Sequence, residues 1–306
     1  MSLVSVILPN YNHAPFLEQR IASIIGQTHQ EIELIILDDA STDDSRKILE
    51  QYRRHPKVAH IVYNEHNSGS PFSQWKKGLA LATGEYIWIA ESDDDAAPTL
   101  LETLLPLFKD GVGLAYVQTI DVDSEGKELL HRATYTKEFV PNVWEQDFRM
   151  EGKAFVENYL LVKNVIPNAS AVVFKKSLVS SDVFKTSLLN MRMCGDWWFW
   201  IQLCQATNIA FTATPLNYFR NHSTVTRKHN TKAKKKQRLV EEYTLRKNSY
   251  ESNHWSHQKM ERKLYHKWFR LHGLSAIFTK SFYQIKNIQN GKPLVVAFLK
   301  SKLRKN

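Results

Sequence analysis

The stretch Glu91-Ser92-Asp93-Asp94-Asp95 places four carboxylates within five residues. Carboxylates this close repel one another unless a cation or solvent separates them. An oxygen-only set of this kind suits a hard divalent ion such as Mg2+ or Mn2+. The same residues also read as an acidic turn ahead of a helix, with Asp95 or Thr99 as its cap. Two further stretches are chemically loaded. Asp38-Asp39-Ala40-Ser41-Thr42-Asp43 is a second acidic, turn-forming segment, and Gly195-Asp196-Trp197-Trp198-Phe199-Trp200 sets one acid beside four aromatic side chains. An acid at a helix start gains about 0.3–1 kcal/mol from the dipole, so Asp196 can also be a plain N-terminal residue.

The elements around these stretches alternate. Leu3 to Leu8, an apolar run rich in β-branched residues, Ile32 to Leu37 and Tyr86 to Ala90 read as buried strands, and Val58 to Tyr63 reads as a further strand. Between them, helices are expected from about Pro15 to Gly26, from Asp43 to Arg53 with Ser41 or Thr42 as cap, and from Ser73 to Ala82 with Gly84 as stop. Strand and helix at this spacing predict an α/β fold, a Rossmann-like, mostly parallel sheet flanked by helices. Ligands of such sheets bind beyond the carboxyl ends of the strands. Three polar turns therefore converge there: Pro9 to Asn12, Asp38 to Asp43 and Glu91 to Asp95. The first turn, PNYNH, has no glycine-rich fingerprint, and no P-loop occurs in the chain. Phosphate must be held by a metal or by side chains. Further on, Leu114 to Val122 reads as a strand and Asp121 to Gly126 as a hairpin turn.

Composition bounds the class. The 306-residue chain carries a net charge of +10, unevenly spread: residues 220–306 hold 22 Lys and Arg against four acids, whereas residues 1–219 are net negative. That asymmetry marks a boundary near residue 220 and suggests that the basic region over 226–306 meets something anionic. Two cysteines make neither a zinc pattern nor a disulfide framework and fit a reducing cytosol. The start reads as a strand rather than a signal peptide, and the apolar runs are far short of the roughly 20 residues that span a bilayer. A soluble, cytoplasmic protein is expected.

These residues resemble glycosyltransferase family 2, the inverting GT-A enzymes. The matching segments are Val4-Ser5-Val6-Ile7-Leu8-Pro9-Asn10-Tyr11-Asn12, Ile35-Ile36-Leu37-Asp38-Asp39-Ala40-Ser41-Thr42-Asp43, Asn67-Ser68-Gly69, Ala82-Thr83-Gly84-Glu85-Tyr86-Ile87 and the acidic cluster. The resemblance implies a catalytic domain over 1–225, with a nucleotide-binding half 1–110 and an acceptor half 111–225, and a nucleotide-sugar donor. In it, Pro9, Tyr11 and Asn12 pack on base and ribose, and Asp39, with Asp38 beside it, bonds a base N–H, usually of uracil. Asp93 ligates a Mn2+ or Mg2+ ion bridging the diphosphate, assisted by Asp94, while Glu91, with Ser92 between, lies near the ribose. Lys76 or Lys77 stands where the family often has an arginine near the diphosphate. Asn168, in the small-residue segment Pro167 to Lys175, lines the sugar pocket. Asp196 matches the general base, with Trp197 and Trp198 as an aromatic stacking platform, and Gly195 stands where the family's preceding acid usually is. His222 and Arg220, near the family's closing Y-R-x-H segment, approach the diphosphate or metal from the far side.

The basic region reads as helices, with Leu264, Trp268 and Leu271 at helical spacing, as are Leu274, Ile277, Phe278 and Ile285. Its end, Leu294 to Leu299 flanked by lysines, resembles a basic amphipathic segment lying on anionic lipid. Enzymes of this family often act on lipid-linked acceptors, so a glycan or lipid-linked acceptor and a peripheral place on the inner membrane face follow. A solvated basic appendage is the other reading. The rival functions are a nucleic-acid binder using the basic region, which lacks any accompanying recognition motif, and a metal-dependent phosphotransferase using the same acidic turn.

Overall fold

The computed structural model describes residues 2–166, 168–184, 186–222, 231–249, 255–285 and 294–303. The chain divides into two compact units, one of Met1–Leu160 with Asn164–Thr224, the other of Leu161–Lys163 with Val225–Asn306.

The first unit begins with β1 (Val4–Asn10), α1 (Ala14–Ile25), β2 (Ile32–Asp38), α2 (Ser45–Gln51), β3 (Val58–Tyr63), α3 (Pro71–Leu81) and β4 (Tyr86–Ile89). β5 (Asp95–Ala96), α4 (Leu100–Leu104), β6 (Val112–Val122), β7 (Glu128–His131), β8 (Phe148–Glu151) and α5 (Gly152–Phe155) follow. β9 (Val172–Lys175), α6 (Thr186–Leu189), α7 (Gly195–Cys204) and β10 (Asn208–Arg220) complete it. Among the described residues these strands form one sheet in the order β3-β2-β1-β4-β9-β6-β10-β5, with β7 on β6 and β8 on β10. β1 pairs parallel with β2 and β4, as do β2 with β3 and β6 with β10; β9 runs antiparallel between β4 and β6. Every residue of β1 is buried, as a central parallel strand covered on both faces requires. Chain order reverses at β1, with β2 on one side and β4 on the other, and the three polar turns open from the carboxyl ends of these strands.

Three local expectations change. α2 starts at Ser45, and neither Ser41 nor Thr42 caps it; Ser41 Oγ instead accepts the Asn12 backbone N–H (2.9 Å) and an Asn10 amide proton (3.1 Å). Gly84 is not a helix stop, because α3 has already ended at Leu81. A Cβ at Gly84 would lie 2.7 Å from the Leu3 carbonyl oxygen, so glycine is needed for close packing. The acidic cluster caps nothing: the Thr99 side chain makes no cap bond at α4 and Asp95 belongs to β5. The hairpin after β6 is present as expected, with Asp123 Oδ1 accepting the N–H groups of Glu125 and Lys127 (2.9 Å each).

The second unit contains α8 (Lys232–Ser249), α9 (Trp255–Arg270), two 3-10 turns (Leu274–Phe278 and Lys280–Gln284) and α10 (Leu294–Leu303). Its core gathers Leu239, Leu264, Tyr265, Trp268, Phe269, Phe282, Ile285, Leu294 and Phe298. Leu264 and Trp268 are therefore core residues, whereas Leu274 and Phe278 are exposed. α10 does not offer its whole apolar face outward, because Leu294 and Phe298 are buried in this core. Buried Arg246 donates to the carbonyls of Leu161 and Val162 and pairs with Glu242. Among the described residues no helix is long and apolar enough to cross a membrane.

Candidate functional site

The first two turns are stitched to each other. Asn10 and Asp38 are register partners, and the Asn10 amide donates to Asp38 Oδ2 at 2.9 Å. Asp38 Oδ1 accepts the Ser41 N–H (3.0 Å), and Arg46 lies 3.6 Å away. Asp38 is fully buried, so it shapes the turn and is not open to a ligand. Asn12 holds φ at +56° and takes the Thr42 N–H on its side-chain oxygen (2.7 Å); Ala40 holds φ at +61°. Non-glycine residues with positive φ persist only where surrounding bonds over-determine them. Tyr11, half exposed, projects from the stitched turn, and Pro9 is buried in the end of β1.

Asp39 sits beside it in a nest of donors. Its Oδ1 accepts from Asn64 (2.6 Å), the Ser68 N–H (2.9 Å) and Gln74 (2.8 Å), while among the described residues Oδ2 accepts only from Ser68 Oγ (2.8 Å). Oδ2 thus retains acceptor capacity for an N–H from outside. Lys77, rather than Lys76, reaches this nest, donating to Asn64; Lys76 lies on the exposed side of α3.

The acidic turn splits into inward and outward carboxylates. Asp94 points in: its Oδ2 accepts from Asn168 and Ser170 Oγ at 2.6 Å each, and its Oδ1 from the Arg220 N–H at 3.2 Å. Glu91 is held by the Trp75 indole N–H at 3.0 Å, and Ser170 Oγ accepts the Glu91 N–H at 3.1 Å. Burial, then the neighbouring Asp93 charge, pushes the Glu91 carboxyl up to about 8 and Asp94 up to about 7. Asp93 behaves in the opposite way. Burial works against its charge, but the His222 hydrogen bond (Nε2 to Oδ2, 3.0 Å) and the nearby His13 hold it below the usual range.

His13, at the start of α1, was not singled out by the motifs, yet it completes this group. Ligand atoms of His13, Asp93 and His222 all lie within 4.8 Å of one another. His13 Nδ1 meets Ser92 Oγ at 2.7 Å, and Phe16 packs against both imidazoles, with ring centroids 6.2 and 5.0 Å away. Burial lowers the His13 pKa, favouring the neutral imidazole that ligates metals. Among the described residues the group that could hold a metal ion is His13, Asp93 and His222, whereas Asp94, expected beside Asp93, is occupied by its inward bonds.

Two arginines support the turn. Arg220, expected near the diphosphate, is buried and donates to the carbonyls of Asp93 (3.0 Å), Asp123 (3.3 Å) and Ser124 (3.0 Å) and to Gln19 Oε1 (2.8 Å). Four of its five N–H groups are thus committed to scaffolding. Arg20, fully buried on α1, lies 5.0 Å over the Trp88 ring, and its Nε and Nη2 have no partner among the described residues. It is a fixed positive charge among Asp94, Asp95, Asp93 and Glu91.

Asp196 opens the first turn of α7, half-buried, with Asn164 Nδ2 donating to its Oδ2 at 3.0 Å. Trp197 and Trp198 are 3% and 6% exposed, and the Trp197 indole donates to the Leu160 carbonyl. They are core residues with no open ring face, which corrects the stacking-platform expectation: α7 is apolar on nearly every side and is buried on nearly every side. Gly195 packs on α3, where an added Cβ would lie 2.2 Å from Phe72 Cε2. Asn168 is buried between Asp94 and Asn217, one layer behind the turn.

A mostly parallel sheet with an acidic, histidine-backed turn at its switch point defines a GT-A type α/β protein. The family description "Glycosyl transferase family 2" matches residues 5–178, and the chain belongs to that family. It is 42% identical over 103 residues to TuaG of Bacillus subtilis (strain 168), a glycosyltransferase described for teichuronic acid biosynthesis; the match covers 34% of this chain and 40% of TuaG. It is 27% identical over 184 residues to the GalNAc(5)-diNAcBac-PP-undecaprenol beta-1,3-glucosyltransferase of Campylobacter jejuni, covering 60% of this chain and 55% of that one. The chain thus matches less than two thirds of the length of these relatives. In fold it is similar to residues 1–349 of S. aureus TarS in complex with UDP-GlcNAc (TM-score 0.63, 15% identity, 98% of this chain and 81% of that one). It is also similar to the mannosyltransferase PcManGT of Pyrobaculum calidifontis in complex with GDP-Man and Mn2+ (TM-score 0.54, 17% identity, 100% and 76%).

Proposed function

We propose that this chain is an inverting glycosyltransferase moving a sugar from a UDP- or dTDP-sugar to an acceptor hydroxyl in surface-glycan or lipid-linked glycan synthesis. The observation that carries the reading is the His13–Asp93–His222 group set beside the Tyr11 and Asp39 turns at the carboxyl edge of β1, β2 and β4. The donor set fits a divalent ion: one carboxylate and two imidazoles suit Mn2+ better than the all-oxygen preference of Mg2+. When bound, that ion would stabilise the negative charge developing on the departing diphosphate.

This chain's own residues do the rest. Asp39 Oδ2 receives a base N–H, Tyr11 and Asn12 border the base and ribose, and Lys77 supplies positive charge nearby. Glu91 and Asp94, held by Trp75, Ser170 and Asn168, fix the direction of Asp93. Asp196 removes the acceptor proton, its carboxylate aimed by Asn164. A nucleoside diphosphate leaves as an already acidic oxygen, so no proton donor is needed, in contrast to glycosidases. The acceptor and a peripheral position at an anionic membrane belong to the same proposal, supported by the relatives' descriptions and by the basic second unit, where Val296, Leu299 and Leu303 are exposed beside Lys300 and Lys302.

The test is calorimetric binding of UDP, dTDP, GDP and CMP with and without Mn2+, on wild type and Asp93→Ala, followed by turnover of Asp196→Asn. Metal-dependent binding of UDP or dTDP that Asp93→Ala loses, with Asp196→Asn binding normally but failing to transfer, is expected. No nucleotide binding would overturn the transferase reading. Full turnover by Asp196→Asn would remove the base assignment alone.

A further inference from the structure

Residues 160–164 form a short segment whose carbonyls are held by side chains from two helices. The chain leaves the first unit at Leu161 and re-enters it at Asn164. Leu160 ends a helical turn (Val156–Leu160), and its carbonyl accepts the Trp197 indole N–H at 2.6 Å. The next two carbonyls, of Leu161 and Val162, accept from Arg246, the second at 3.2 Å. Connecting segments usually turn such carbonyls to water. Leu160 and Leu161 are 0% and 2% exposed, so donors from the protein are needed here.

Arg246 stands in the last turn of α8, where a basic side chain ordinarily lies in water beside the helix dipole. It is instead 4% exposed. Its Nη2 and Nε donate to Glu242 Oε1, one turn earlier, at 2.9 and 3.2 Å, while Nη1 and Nη2 reach the two carbonyls. One planar guanidinium thus spans a carboxylate and two consecutive peptides, which the point-like ammonium of a lysine cannot do. Glu242 balances the charge, and the two carbonyls receive the directed bonds.

The segment ends on Asn164. Its Nδ2 donates to Asp196 Oδ2 at 3.0 Å, and its Oδ1 is buried with no partner among the described residues. A single hydrogen bond therefore orients this amide, and the course of its backbone decides whether that bond forms. The course is pinned at Leu160 by Trp197, the α7 residue after Asp196, and at Leu161 and Val162 by Arg246. We infer that Arg246 is a positioning residue for Asp196, acting through the carbonyls of Leu161 and Val162 and the amide of Asn164. The inference rests on the reading of Asp196 as the general base. A base displaced by about 1 Å from the proton it takes can lose about 100-fold in rate. α8 then contributes to transfer, because it carries the group that sets the Asn164 backbone.

The experiment uses the full chain with 15N-labelled asparagine, the Asn164 side-chain amide being assigned by its loss in Asn164→Ala. Asp196→Ala sets the position of that signal without its acceptor. In Arg246→Met/Glu242→Met the signal should move to this same position. Removing both charges together leaves no unpaired ion, so thermal unfolding should stay near that of wild type. Affinity for UDP with Mn2+ should be unchanged, and donor turnover should fall about tenfold or more in kcat with KM kept. Arg246→Lys keeps the ion pair with Glu242 and reaches one carbonyl, so it should fold as wild type does and shift the signal part of the way. A signal unmoved in both Arg246 variants, or an unchanged kcat in the double variant, overturns the positioning role. If Asp196→Asn turns over freely while the signal still moves with Arg246, the base assignment falls and the link from Arg246 to Asp196 stands.

Discussion

Ser170→Ala removes one oxygen from the interior of the acidic turn and leaves the packing volume nearly unchanged. Ser170 is fully buried, and its hydroxyl does two things at once: it donates to Asp94 Oδ2 at 2.6 Å and accepts the Glu91 N–H at 3.1 Å. Losing a hydrogen bond to a charged group costs about 1.5–3 kcal/mol, and leaving a buried N–H unpaired costs about 1–3 kcal/mol. The two do not add fully, because Asp94 keeps its bonds from Asn168 and Arg220 and, with a pKa near 7, can take a proton where it has lost a donor. The expected loss is therefore about 2–4 kcal/mol. Urea unfolding at neutral pH should show a lower midpoint with an unchanged slope, since the buried area is the same. Mn2+ affinity should fall in the same variant, because the backbone between Glu91 and Asp94 carries Asp93. A stability change below about 0.5 kcal/mol, the size of an ordinary surface substitution, would show that the inward bonds do not hold the turn.

The remaining predictions concern the His13–Asp93–His222 group, the glycine before Asp196 and the acid limit of stability. His13→Ala and His222→Ala should each weaken Mn2+ binding, read by electron paramagnetic resonance, at least tenfold; wild-type affinity in His13→Ala would reduce His13 to a packing residue on Phe16. Gly195→Glu should destabilise the chain by about 1–3 kcal/mol or more through overpacking against Phe72, and Phe72→Ala in the same chain should recover part of that loss. Thermal unfolding of single and double variants decides it, and simple additivity would refute the steric cause. Glu33 takes hydrogen bonds from Ser5 Oγ, Thr83 N and Oγ1 and Gly84 N; burial opposes its charge, but these bonds hold its carboxyl below the usual range. Its contribution is therefore present above the ordinary carboxylate pKa and lost as pH falls through the lowered one. Glu33→Gln should cost about 0.5–1 kcal/mol at pH 7, because solvent screens a carboxyl that is partly exposed, a gap that closes in acid; a pH-independent gap would assign the loss to packing.

The sheet's amino half was readable because each buried parallel strand is a short apolar run ended by turn chemistry, and a run of that kind has few other solutions. Helix starts were less readable. Ser41 looked like a cap because its type and place fit one, but a hydroxyl within reach of Asn10 at the end of β1 and of Asn12 in the turn beyond it is used there instead. Trp197 and Trp198 looked like a sugar platform because aromatics beside an acid suit one. Periodicity gave the better signal: a helix apolar on every side belongs in the interior. Arg20 also left a mark in the sequence, a charge on the stripe of Leu17, Ile21 and Ile24 that α1 buries.

The assignment of individual carboxylates lay beyond sequence reasoning for a physical reason. In a tight turn, adjacent side chains leave in different directions, and nothing in Glu91-Ser92-Asp93-Asp94 says which way each will point. What decides it are partners far along the chain: Asn168, Ser170 and Arg220 draw Asp94 inward from 74, 76 and 126 residues away, and His222 draws Asp93 outward from 129. Each inward donor makes a buried acid tolerable, and each buried acid removes one candidate from the ligand list. The outward position left at Asp93 is then completed by whichever side chains the flanking elements bring to it. α1 brings His13 and the end of β10 brings His222; the two imidazoles meet edge to face with centroids 5.5 Å apart, and both pack on Phe16, so their ligand atoms and that of Asp93 lie within 4.8 Å of one another.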